Sequence, residues 1–147
     1  MEEAAPKPIW LVALIGLLGF PAPALLYAYG GTEWSGAGLN ILVTWSAVVM
    51  GFLGGIRWGL ESARPNPRWR NLAASTVSPF AGFVLFAARH YIDTDWVLSG
   101  FLVAFISQWL FDHATPESPV RYPRLTTILT LVACVSLALA LEKALRI

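Results

Sequence analysis

The sequence predicts an all-α polytopic membrane protein, a bundle of five transmembrane helices. Three observations lead there. Apolar residues make up 56% of the chain and charged residues 13%, whereas a soluble domain carries about 25% charged residues to coat its surface. Five apolar segments follow one another, each near the length that crosses a hydrocarbon core of about 30 Å as a helix. The stretches between them are rich in Gly, Pro and charge, the residues that interrupt helices. With 147 residues the chain suits one transmembrane domain over 1–147 and leaves no room for a second.

The first span is expected at about 9–28, with Trp10 at one end and Tyr27 and Tyr29 at the other as interfacial anchors. Pro21 and Pro23 fall late in it and should kink or loosen its last turns. A signal peptide would look similar, but Glu2 and Glu3 stand where a signal needs basic residues, and the apolar run continues past Ala22-Pro23-Ala24. The segment is therefore expected to stay as a membrane helix. Residues 30–36 read as a turn-rich loop.

The second span, about 39–60, carries a single charge, Arg57. Arg64, Pro65, Pro67, Arg68 and Arg70 make 61–71 a loop. A short third span at about 72–88 contains Ser75, Ser78 and Pro79, and 89–95 is polar enough to turn. The fourth span, about 96–111, is also short. Pro116, Pro119 and Pro123 mark 112–123 as a loop before a fifth span at about 125–141.

Counting Lys and Arg sets the orientation. Lys7, Arg57, Arg64, Arg68, Arg70, Arg121 and Arg124 fall on one face, seven against the three of Arg89, Lys143 and Arg146 on the other. The N-terminus is expected in the cytoplasm and the C-terminus on the opposite side, in a bacterial inner membrane.

Where helices meet in lipid, small residues let the backbones approach. Ala47, Gly51, Gly55 and Gly59 form such a stripe on the second span, Gly100, Ala104, Gln108 and Asp112 on the fourth, and Thr126, Thr130, Cys134, Ala138 and Glu142 on the fifth. Packing within one monomer is the plain expectation for each stripe. A homo-oligomer or a membrane-protein partner through the glycine stripe is the sharper one.

Arg57 is the residue that most needs an explanation, because a charge at the bilayer centre costs on the order of 3 kcal/mol on insertion scales. It lies close to the end of its span, so its stem can snorkel to the interface. The predicted topology also brings Arg57, Asp112 and Arg124 from three helices to one depth, with Gln108 one turn deeper than Asp112 on the same stripe. Arg57 can pair with Asp112 across helices or with Glu61 one turn on. Two readings stay open: a structural latch, or a binding site formed by Arg57, Trp58, Gln108, Asp112 and Arg124 for a small lipophilic or anionic molecule such as a quinone, lipid headgroup or carboxylate.

Other chemistry is not supported. No catalytic constellation, metal site or cofactor is expected: Cys134 is the sole cysteine, and His90 and His113 fall on opposite faces of the membrane. Gly51-x-x-Gly54-Gly55 lacks the Lys-Ser/Thr of a phosphate loop, and there is no nucleophile elbow. The net charge of +1 gives no reason to expect nucleic acid. Membrane lipid is the expected surrounding. Trp10, Trp34, Trp58, Trp69 and Trp96 suit an interfacial belt.

The run Phe52-Leu-Gly-Gly-Ile-Arg-Trp-Gly59 resembles the transmembrane protein 69 family, whose bacterial members are small proteins carrying a domain of unknown function. Gly16-Leu-Leu-Gly-Phe-Pro21, Val77-Ser-Pro79 and Tyr122-Pro-Arg124-Leu-Thr126 follow in the same order, and the resemblance covers about 9–141. Glu2-Glu3 and Arg121-Tyr122-Pro123 depart from it. The resemblance implies five spans in a bacterial or, by kinship, mitochondrial inner membrane, and no assigned activity. The expected role is a non-enzymatic bundle that scaffolds or associates with a larger membrane complex.

Overall fold

The computed structural model describes residues 7–114 and 123–146, with Ala114, Pro123 and Arg124 described in their backbone alone. The described residues form seven helices and no strand: α1 (Lys7–Leu17), α2 (Pro21–Tyr29), α3 (Gly31–Ser62), α4 (Trp69–Ser75), α5 (Val77–Ala88), α6 (Thr94–Ala114) and α7 (Pro123–Leu145). Taken as α1 with α2, α3, α4 with α5, α6, and α7, they give five segments long and apolar enough to cross a membrane.

Proline chemistry divides two of the spans. Pro21 has no N–H to give the Leu17 carbonyl, so α1 closes with short-range bonds, Gly19 N to Gly16 O at 3.1 Å and Phe20 N to Leu17 O at 3.2 Å. Pro79 likewise cannot donate to Ser75, and the helix breaks at Thr76. The third span is therefore two helices.

Several boundaries differ from the sequence expectation. Residues 31–36 are helical rather than loop, and α3 runs for 32 residues. The turn narrows to Gly30 and Gly31, the latter at φ +69°, where a side chain would be strained. Ser35 Oγ donates to the Tyr27 carbonyl at 2.9 Å and fastens the new helix to the old. At the other end α6 continues through Asp112 and His113, because both side chains find partners within the protein. Most of the expected 112–123 loop, Arg121 included, lies outside the described residues.

The packing order makes a ring: α2 on α3, α3 on α5, α5 on α6, α6 on α7, and α7 back on α2. Phe20, Phe101, Phe105 and Leu137 fill its interior with no exposed surface, Phe20 meeting Phe105 edge-on at 5.7 Å. α1 stands outside the ring. It packs on α7, and past Gly19 it diverges from α3.

Lys7, Ser62, Trp69 and Asp112 lie at one end of the bundle, its basic end. Gly54 faces inward there. A Cβ on it would sit 2.6 Å from the Ser75 carbonyl oxygen, the acceptor that Pro79 leaves without its helical donor. Gly82 brings α5 onto Ala47 and Met50 in the same way.

Two of the three small-residue stripes are corrected. Among the described residues nothing packs on Gly51, Gly55 and Gly59; a Cβ at any of them would meet none of those residues within 4 Å. The contacts belong to the neighbouring face, which carries Met50 and Gly54. On α7 the covered face is Thr130, Ala133, Leu137 and Ala140, while Ala138 and Glu142 are exposed. The α6 stripe packs as expected, with Gly100 against Leu85 and both Gln108 and Asp112 buried.

Candidate functional site

Two features at the basic end can carry function. The first is a buried polar chain linking α3, α5 and α6. Arg57 NH1 stands 3.3 Å from Asp112 Oδ1, with 4% and 3% of the two side chains exposed. Gln108 lies one turn before Asp112 and donates from Nε2 to the same oxygen at 2.9 Å. Ser78 donates to Gln108 Oε1 from across the bundle. The Arg57 guanidinium also lies 4.5 Å from the Phe111 ring centre. Arg57 therefore does not snorkel.

Glu61, the other carboxylate open to Arg57, is 1% exposed and turned toward the segment that follows α3. Arg68 holds it with two guanidinium bonds, Nε to Oε2 at 3.2 Å and NH2 to Oε1 at 3.0 Å, and with its backbone N–H at 2.8 Å. Asn71 Nδ2 donates to Oε1 at 3.1 Å, and Arg64 Nε stands 3.5 Å from Oε2. A fork of this kind matches carboxylate geometry. Glu61 thereby ties the short connection that holds Pro65 and Pro67 back to the end of α3.

Of the expected site residues, Arg57, Gln108 and Asp112 converge. Trp58 is 49% exposed, in contrast to the buried Arg57, Gln108 and Asp112. The Arg124 side chain lies outside the described residues. Ser78 was not foreseen as a member of the cluster; in the sequence it is one of two serines in a short span, with nothing to mark its partner. A clamp between α6 and α7 was also not foreseen: Trp109 Nε1 donates to Thr127 Oγ1 at 2.9 Å, and His113 Nδ1 donates to the Trp109 carbonyl at 2.9 Å. Among the described residues no three His, Cys, Asp or Glu side chains stand close enough to share a metal ion.

The second feature is an apolar groove of about 880 Å³ between α1, α3 and α7. It exists because α1 leaves α3 at the Gly19 break. Gly55 and Gly59 form its α3 wall, Pro8 and Ile9 begin its α1 wall, and Leu125 and Thr126 lie at its base. Trp45 ends it, with Nε1 donating to the Gly16 carbonyl at 3.0 Å.

Residues 5–142 match the family described as "Protein of unknown function (DUF3429)". The chain is 33% identical to transmembrane protein 69 of Xenopus tropicalis over 139 residues, which is 90% of this chain and 53% of that protein. It is 30% identical to transmembrane protein 69 of Mus musculus over 143 residues, 93% of this chain and 56% of that protein. The chain thus spans about half the length of these relatives. No solved structure matches it. With the family match running through all five spans, the chain belongs to the DUF3429 family and is similar across nearly its whole length to transmembrane protein 69.

Proposed function

We propose that this chain is a non-enzymatic helix bundle of the bacterial inner membrane that associates with a larger membrane complex, receiving a partner's transmembrane helix in the groove between α1, α3 and α7. One observation carries the reading. Gly51, Gly55 and Gly59 recur every fourth residue with open space where a side chain would stand, and the last two line an apolar groove. Glycine in a helix interior costs roughly 0.5–1 kcal/mol against alanine. Three in register are best explained by a backbone that must come close, as in small-residue helix pairs. The Arg57 cluster supports the same role as a latch. Its guanidinium already has a carboxylate, so an anionic ligand there would have to displace Asp112. The excess of Lys and Arg at the basic end favours a cytoplasmic N-terminus.

Photo-crosslinking in intact membranes tests the association. A photoreactive residue at Phe52 or Leu60, in the groove wall, is expected to capture a protein, whereas one at Val135, on the outer face of α7, is not. Gly55→Leu should abolish the capture while the purified variant unfolds at the parent's temperature. Capture equal from all three positions, or unchanged in Gly55→Leu, overturns the proposal.

A further inference from the structure

We infer that α1 is a gate over this groove: it swings about the break at Gly19–Pro21 and closes on the glycines of α3, so that a partner's helix has to displace it. The inference rests on the association proposed above and adds how that same site is regulated. Its ground is the way α1 is held. From Lys7 to Gly16 no residue of α1 is buried, and Leu17 is the helix's one buried residue. The junction behind it is pinned. Trp45 Nε1 donates to the Gly16 carbonyl at 3.0 Å, and a Cβ on Gly19 would run into the same indole. Pro21 cannot donate to Leu17, so two short-range bonds replace the α-helical ladder there. A helix pinned at one end beside a proline break, with no buried side chain along the rest, has what a hinge needs.

The two walls suit each other. Ala13 and Gly16 of α1 line the groove on one side, Gly55 and Gly59 of α3 on the other. A Cβ on either α3 glycine would meet no described residue within 4 Å, so the gap between the walls is open. Small residues on two facing helices let the backbones come close, and such packing is what holds helices together in lipid. With 11 residues, α1 is a lever of about 16 Å at 1.5 Å per residue. A swing of about 20°, the scale of a sharp helix kink, carries its Lys7 end through about 6 Å. The Trp45 end moves least, so the groove opens and shuts from the end that holds Pro8 and Leu60. Closing covers the glycine surface that a partner's helix would take. The two compete, and the partner's apparent affinity is reduced by the fraction of the protein that is open.

The test uses the full chain in phosphatidylcholine vesicles without a partner, in a Cys134→Ser background. Lys7→Cys and Ser62→Cys, both exposed and outside the groove lining, carry spin labels whose separation is read by pulsed double electron resonance. Gly55→Leu then fills the α3 wall. The open groove has room for that side chain, so an α1 that never moves stays where it is, while an α1 that closes is held away. The parent is expected to show a component about 6 Å shorter than the separation in Gly55→Leu. Ala13→Leu, on the opposite wall, should lengthen the separation in the same way. A separation that neither variant lengthens overturns the gate and leaves the helix-receiving groove standing. Failed capture from Phe52 in intact membranes, with the separation still lengthened by either variant, overturns the association and leaves α1 closing on α3 by itself.

Discussion

Asp112 is the acceptor on which three helices meet: Arg57 comes from α3, Gln108 is one turn back on α6, and Ser78 reaches Gln108 from α5. Burying two charges together gains little over an apolar pair of the same volume, because desolvation offsets their attraction. Removing one is costly, because the other is left buried alone. Asp112→Leu is therefore expected to lose about 3–5 kcal/mol, read as a lowered unfolding midpoint of the purified protein. The double variant Arg57→Met with Asp112→Leu should recover most of that loss. A single variant as stable as the parent would show that the pair is not a latch.

At the scale of the element, α3 carries glycine on two faces with opposite duties. Gly54 lets α3 sit against the kink at Ser75–Pro79, while Gly51, Gly55 and Gly59 face open space. Alanine separates the two. Gly54→Ala forces a methyl against the Ser75 carbonyl and the Pro79 ring, an overpacking that costs typically about 1–3 kcal/mol. Gly55→Ala meets nothing and should be neutral, or stabilise by up to about 1 kcal/mol through helix propensity. Unfolding of both variants under the same conditions checks the pair. Equal destabilisation would mean that the outer face is packed within the chain after all.

For the whole molecule, the excess of Lys and Arg at one end is the ground of the proposed orientation. With the basic end in the cytoplasm, Thr32 at the far turn faces outward and Ser62 faces inward; both are exposed in the fold. In a Cys134→Ser background, Thr32→Cys should react with an impermeant maleimide on intact spheroplasts, and Ser62→Cys only after permeabilisation. The reverse pattern would invert the orientation and put the groove mouth on the outer side.

Legible along the chain were the five spans, the proline kink in the first, and the gathering of Arg57 and Asp112 at one end with Gln108 a turn deeper, because hydropathy, helix rise and proline's missing donor act locally; the break at Thr76 was not read there. The recurrence of small residues on three helices was legible too. Which of them pack depends on how each helix is rotated in the folded bundle. A glycine permits close approach without naming the partner, so Gly54 and Gly55 look alike until the helix is rotated into place against Pro79. The same holds for Glu61, which the sequence left open to Arg57 and which the return of the chain gives to Arg68. The groove depends on α1 leaving α3 at Gly19, a divergence fixed by the packing of α1 on α7.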